Sequence, residues 1–153
     1  MNVKLVNPVL SSMVNILAMM AKMEVTPGKP SLKKDDKGLG EVSGIISMSG
    51  PQVRGSVAIS ISKPVILELC RRMLHKQPID IDDMAADLTA ELTNMVAGGA
   101  KSALEEQGYK LEMSLPQVRV GKFHTVEHTT HGQTILLPFY CKVGKIYVEI
   151  CFE

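Results

Sequence analysis

Glu91 and Asn94 place a carboxylate and a carboxamide three residues apart in the middle of the stretch 81–107. In a helix, two such side chains lie on adjacent turns of one face, about 4.5 Å apart along the axis. An uncharged carboxamide both donates and accepts hydrogen bonds, so it can orient a water molecule beside a phosphoryl group without electrostatic repulsion. Phosphoryl transfer depends mainly on positioning and electrostatics, and the carboxylate suits a cation on a partner. Judged from spacing alone, however, two ordinary exposed helix residues remain the simpler interpretation.

The stretch 81–107 has the signals of one long amphipathic helix. Asp82 or Asp83 can cap its start, and Gly108 stands where a C′ glycine belongs. Apolar or small side chains recur at helical spacing, at Met84, Leu88, Leu92, Met95, Val96, Gly99 and Ala103. A second, open stripe contains Asp87, Glu91, Asn94, Gly98 and Lys101. Because each of two adjacent glycines costs a helix roughly 1 kcal/mol relative to alanine, we expect another backbone to approach Gly98 and Gly99 closely.

The rest of the chain predicts helices packed on a largely antiparallel sheet, which is an α+β architecture, in a single domain over 1–153. Two further helices are predicted at 8–23, with Asn7 as cap and Pro8 at the first helical position, and at 64–76. Strands are predicted from apolar alternation at 41–49, 52–62, 109–115, 117–122, 134–142 and 145–152.

A weak internal repeat relates the two long helices. A shift of 79 positions places the segment from Ser12 to Ile16 on the segment from Glu91 to Met95. Five positions are little evidence, because amphipathic helices align easily by chance, so a repeat and a coincidence both remain open. If the repeat is real, the first half has the asparagine, Asn15, but a serine in place of the glutamate.

Composition excludes several classes of function. The formal net charge is +1 and aromatic content is 4% with no tryptophan, so we expect no nucleic-acid or anionic-membrane partner. The three cysteines form no CxxC pair, which is typical of reduced thiols in a cytoplasmic protein. The first apolar segment is interrupted by polar residues, so we expect neither a signal peptide nor a membrane span.

Two segments carry polar residues without a clear function. His124, His128 and His131 lie close together beside Glu127, but the intervening threonines and glycine argue against a helical metal site, so 123–133 is predicted to be an exposed loop. The mixed-charge run from Lys33 to Lys37 lies in a Pro- and Gly-rich stretch, 24–40, and is predicted to be an exposed, mobile loop.

The run from Glu91 to Lys101, with the acidic residues before it, resembles the signature helix of the CheC/CheX/FliY chemotaxis phosphatases and is closest to the CheX branch. The N-terminal helix leading into 25–30, the hairpin from Gly44 to Ile61 and the final strand pair follow in the same order, so the resemblance spans nearly the whole chain. It implies a CheC-like fold with two long helices and a shorter helix on the sheet, and it favours the internal repeat.

The resemblance also implies an activity. It points to a phosphatase that acts on the phosphoaspartate of a CheY-like response-regulator receiver domain, with Asn94 positioning the attacking water and Glu91 pairing with a receiver lysine. Asp87, Gly98 and Lys101 on the same stripe would contact that partner. Serine at position 12 implies that a second, CheC-type site on the first helix is inactive.

Further expectations concern cofactors and assembly. The resemblance implies that this chain binds no cofactor itself, since the Mg²⁺ belongs to the partner receiver, and that it forms a homodimer joined through its sheets. The alternative is a non-catalytic dimeric module with the same fold that docks a receiver or a switch protein. A structural dimerisation domain without a receiver partner is a third interpretation.

Overall fold

A computed structural model describes residues 3–153, which form three helices and eight strands. The helices are α1 (Val3–Ala21), α2 (Lys63–Leu74) and α3 (Asp83–Glu106). The strands are β1 (Thr26–Pro27), β2 (Ser31–Lys33), β3 (Val42–Ser49), β4 (Arg54–Ile61), β5 (Glu112–Met113), β6 (Gln117–Val120), β7 (Thr134–Cys141) and β8 (Gly144–Phe152). The predicted α+β architecture, with helices on an antiparallel sheet, is confirmed.

The sheet is built from two hairpins that lie side by side. Its strand order is β1-β7-β8-β4-β3-β5, with β2 also paired to β7 and β6 to β3, and all these pairs are antiparallel. The hairpins β3–β4 and β7–β8 meet at the β4–β8 pair, where Ile61 lies opposite Ile146. The short strands after α1 pair with the second hairpin, and those after α3 pair with the first. Each half therefore has a helix, edge strands and a hairpin, which favours the internal repeat that the sequence left open.

Helix α1 begins earlier than predicted. Its buried stripe at i, i+4 spacing consists of Leu5, Val9, Met13, Leu17 and Ala21. Pro8 lies inside the helix and not at its first position, so the expected start at residue 8 with Asn7 as cap is wrong. Proline removes one backbone hydrogen bond from the helix, and the burial of Leu5 in the core offsets that loss. The helix ends at Ala21, and the next residue, Lys22, has a left-handed φ of 51°.

The same helix has the length and composition of a membrane span. The segment Lys4–Ala21 has a mean hydropathy of 1.3, and a third of it, 33%, is buried inside the fold. These properties are weak evidence for a membrane, because the core helix of a globular protein has them too. Here the apolar stripe from Leu5 to Ala21 packs in the hydrophobic core between helices and sheet.

The other face of the sheet, called here the outer face, carries polar side chains and is covered by two loops. Ser43, Ser56 and Ser60 on this face are fully buried. The segment after β2 pairs with the segment after β6 through a bridge between Lys37 and Thr125, and Val126 lies beneath it with 1% of its surface exposed. The two segments that the sequence predicted as exposed loops therefore contact each other.

Two of the three histidines in this loop bond to the outer face. His124 Nε2 lies 2.6 Å from Ser43 Oγ. His128 lies 2.7 Å from Ser56 Oγ through Nδ1 and 3.0 Å from the buried Glu149 carboxylate through Nε2. Lys33 Nζ lies 3.5 Å from the same carboxylate and compensates its charge. The loop at 123–133 is confirmed, but its predicted exposure is wrong for His124 and His128 because these imidazoles bond to buried polar groups of the sheet.

Candidate functional site

Helix α3 is capped at both ends by the residues that the sequence singled out. Asp82 is the N-cap, and its side chain accepts a hydrogen bond from the Ala85 amide at 2.9 Å. Beyond Glu106, Gly108 has a φ of 98° and the Tyr109 amide bonds back to the Leu104 carbonyl at 3.1 Å. With these caps, α3 begins two residues after the start of the predicted 81–107 helix and ends one residue before its predicted end.

The buried side of α3 lies against β3 through a threonine. Thr89 and Thr93 are fully buried, and their hydroxyls donate to the Ala85 and Thr89 carbonyls at 2.9 and 2.7 Å. A Cβ on Gly44 of β3 would collide with the Thr93 side chain. Glycine at position 44 therefore allows α3 to approach the sheet closely at the residue before Asn94. The apolar pattern of the sequence missed both threonines because threonine is polar. They can be buried because their hydroxyls are hydrogen-bonded within the helix.

The predicted open stripe is present on the solvent side of α3. From Asp87 to Lys101 its five residues fall within about 80° around the helix and span roughly 21 Å along it. Asp87, Glu91 and Asn94 are exposed, and Gly98 and Lys101 are half-buried. The structure therefore brings together all the candidate site residues that the sequence indicated.

Glu91 and Asn94 have no side-chain partner among the residues that the structure describes. Across residues 3–153 neither side chain forms a hydrogen bond or an ion pair, and the same holds for Asp87. Lys101 differs, since its Nζ lies 3.1 Å from Glu105 Oε1 one turn further along α3. An uncommitted carboxylate and an uncommitted carboxamide on adjacent turns are free to bond to another molecule.

The two adjacent glycines of α3 have different environments. A Cβ on Gly98 would meet no atom within 4 Å. A Cβ on Gly99 would collide with Ser12 Oγ and lie 3.2 Å from Ser12 Cβ. Packing against α1 therefore explains Gly99, whereas no contact within the described residues explains Gly98.

Helix α1 meets α3 at Ser12 and carries the repeat-equivalent asparagine. Ser12 is 8% exposed and donates a hydrogen bond to the Val96 carbonyl at 2.8 Å. Asn15 is exposed. An open groove of about 580 Å³ runs between the two helices, with Ser12 and Asn15 on one wall and Gly99 on the other. The α1 position equivalent to Glu91 thus holds a buried hydroxyl that bonds to α3, and α1 carries no exposed acid–amide pair there.

Comparison with protein families gives a match over most of the chain. The profile described as "Chemotaxis phosphatase CheX" matches residues 42–140. No curated protein sequence matches the chain significantly.

Solved structures resemble the chain over its full length. A CheC-like superfamily protein from Shewanella sp. PV-4 is 50% identical, with a TM-score of 0.92 over 100% of this chain and 99% of that one. The chemotaxis protein CheX from Vibrio vulnificus is 43% identical, with a TM-score of 0.91 over 98% and 99% of the two chains. The CheX of a CheX-CheY-BeF3-Mg complex from Borrelia burgdorferi shares the fold, with 24% identity and a TM-score of 0.82 over 97% of each chain.

Proposed function

Because this chain belongs to the CheX family of chemotaxis phosphatases, we propose that it hydrolyses the phosphoaspartate of a CheY-like receiver domain at Glu91 and Asn94. The observation that carries this proposal is the free pair on α3. Both side chains are exposed, lie on one face and have no partner among the residues that the structure describes. Neither side chain contributes a hydrogen bond or ion pair to the fold of the described residues, and both have the chemistry that the reaction needs.

Asn94 holds the attacking water. Its carboxamide oxygen accepts a hydrogen bond from the water and keeps the water oxygen in line with the phosphorus and the leaving aspartate oxygen. Because the amide is neutral, it does not repel the phosphoryl oxygens, as a carboxylate base would. Positioning of this kind can lower a reaction barrier by several kcal/mol.

Glu91 docks the receiver. Its carboxylate lies one turn from Asn94, so a lysine of the receiver that bonds to Glu91 is held beside the water site. Gly98 lies four residues beyond Asn94 on the same face, and the open space above it lets the receiver approach the helix backbone. Asp87 and Lys101 lie at the two ends of this contact surface.

The metal in this reaction belongs to the receiver. A CheX of this fold from Borrelia burgdorferi is known in a complex with CheY, BeF3 and Mg²⁺, which supports a CheY-like partner that carries Mg²⁺. Bound Mg²⁺ neutralises charge on the phosphoryl oxygens. We assign no cofactor to this chain.

We also propose that the protein is a homodimer joined through its sheets and that it is located in the cytoplasm. Strand β6 pairs with β3 along one of its edges, and its other edge pairs with no strand of the described residues. Near this edge Leu115, Val120 and Phe123 are 87%, 51% and 93% exposed. A sheet edge flanked by exposed apolar side chains supports pairing with a second copy.

The test is phosphate release from a purified, phosphorylated receiver of the same genome, with Mg²⁺, in the presence and absence of this protein. We expect acceleration that Asn94→Ala reduces on the order of 10²-fold or more, by loss of water positioning. The matched control is Asn15→Ala, which removes the equivalent amide from α1 and should leave the rate unchanged. Binding to the receiver with BeF3 bound should persist in Asn94→Ala.

Two outcomes would contradict the proposal. If Asn94→Ala retains the wild-type rate, the role of Asn94 is wrong. If the wild-type protein binds the receiver without accelerating phosphate release, the chain is a docking module and no phosphatase.

A further inference from the structure

Asn94 lies between two contacts that anchor α3 on different sides. On the sheet side, the preceding residue, Thr93, packs where Gly44 leaves room for it. On the α1 side, the Val96 carbonyl, two residues after Asn94, accepts the hydrogen bond from Ser12 Oγ at 2.8 Å. These two anchors fix both the height of α3 above the sheet and the rotation of the helix about its own axis near Asn94.

The α1 anchor is a close contact as well as a hydrogen bond. Ser12 is 8% exposed and lies directly over Gly99, where a Cβ would collide with its hydroxyl oxygen. A Cβ at position 99 would displace the Ser12 hydroxyl from its hydrogen bond with Val96 and would crowd Ser12 Cβ, and a larger residue at position 12 would crowd Gly99 in the same way. The pair Ser12–Gly99 therefore sets the distance between the two helices.

We infer that Ser12 is a positioning residue for the phosphatase site, acting through α3 to place Asn94 in line with the receiver phosphoryl group. This inference rests on the proposed function. Ser12 itself is turned away from the exposed face of α3 and does not touch substrate. Its role differs from that of its repeat-equivalent residue, Glu91, because the serine holds α1 against α3.

Misplacement of Asn94 has a large expected effect. A displacement of about 1 Å can reduce a rate on the order of 10²-fold even when the altered residue is far from the reacting atoms. Loss of the Ser12 hydroxyl releases one anchor but leaves the packing, whereas a methyl group at position 99 both displaces that hydroxyl and crowds Ser12 Cβ. We expect Ser12→Ala to lower kcat roughly fivefold and Gly99→Ala roughly fiftyfold, with KM changed less than kcat.

The double variant separates positioning from stability. Ser12→Ala removes the oxygen atom with which a Cβ at position 99 collides, although the Cβ at position 12 still lies 3.2 Å away. Gly99→Ala should therefore be less harmful to kcat in the Ser12→Ala background than in the wild-type background. The matched control is Ser11→Ala, an exposed hydroxyl deletion one residue away, which should leave kcat unchanged.

The experiment measures kcat and KM for phosphate release from the phosphorylated receiver, at a temperature where circular dichroism shows every variant to be folded. Lower kcat in Ser12→Ala, with partial rescue of Gly99→Ala by Ser12→Ala, supports the inference. An active wild type with an unchanged kcat in Ser12→Ala refutes it and leaves the proposed function intact. An inactive wild type refutes the proposed function, and the positioning role with it. If Gly99→Ala does not fold, the comparison of Ser12→Ala with Ser11→Ala decides.

Discussion

Gly98 should affect stability and activity in opposite directions. A Cβ at this position would have no neighbour within 4 Å among residues 3–153, so alanine there meets no steric penalty from them. Glycine inside a helix costs about 0.5–1 kcal/mol relative to alanine. Gly98→Ala should therefore raise the free energy of unfolding by that amount, which corresponds to roughly 1 to 4 °C in Tm for a chain of this size.

The effect on activity follows from where the new carbon lies. Position 98 is about 6 Å along the helix from Asn94 and about 40° around it, so the Cβ points toward the surface that the receiver is proposed to contact. The Cβ adds about 1.5 Å to that surface. We expect Gly98→Ala to lower kcat/KM roughly tenfold, and Gly98→Leu on the order of 10²-fold or more, because the receiver can no longer approach the helix backbone.

The assay combines urea unfolding with kcat/KM on the phosphorylated receiver. Ser102→Ala is the matched control, since it also places a better helix former on the exposed side of α3 but adds no atoms. It should stabilise the helix slightly without loss of activity. Wild-type kcat/KM in Gly98→Leu would refute docking at this face, and destabilisation by Gly98→Ala would show that the space above Gly98 is not open.

Two further predictions concern charged side chains. Glu91→Gln should raise KM roughly tenfold with a smaller change in kcat, because it removes the charge that we propose pairs with a receiver lysine. It should also weaken the dependence of KM on salt concentration. If the variant and the wild type have equal KM values at both low and high salt, this ion pair is ruled out. Hydrogen bonds from Arg71, then from Arg72, lower the pKa of Glu68 from 4.5 to about 2. The stability that this carboxylate contributes is therefore complete above pH 4.5 and is lost as the pH falls through about 2. The difference in unfolding free energy between wild type and Glu68→Gln, measured by urea titration, should shrink between pH 5 and pH 2, and a constant difference would contradict the assignment.

The parts of the fold that were predictable have local signals. The α3 helix has an aspartate cap, a closing glycine and an apolar stripe within a single stretch of sequence. The hairpin β3–β4 alternates around Gly50 and pairs with Val42 opposite Ile61. The open stripe from Asp87 to Lys101 was visible for the same reason, since helical spacing alone places its residues on one face.

The parts that were not predictable depend on contacts between distant segments. Pro8 marked a helix start by local rules, but the apolar stripe extends upstream to Leu5. Thr93 looked polar, and only its contact with Gly44 shows that it packs on the sheet. The burial of Glu149 depends on residues 21 and 116 positions away, His128 and Lys33, which no periodic pattern connects to it.

The exchange of edge strands between the two halves determines the order in which the chain can fold. The central β4–β8 pair joins Ile61 to Ile146 and Gly55 to Phe152, so its partners lie 85 to 97 residues apart in sequence. Neither hairpin can acquire both of its neighbours until the other half has been synthesised. Pairing over such separations is slow, because the entropy of loop closure must be overcome before these contacts form. A newly made first half therefore carries two unpaired edges, that of β3 until β5 and β6 emerge and that of β4 until β8 emerges. During these intervals the edges are open to pairing with other chains.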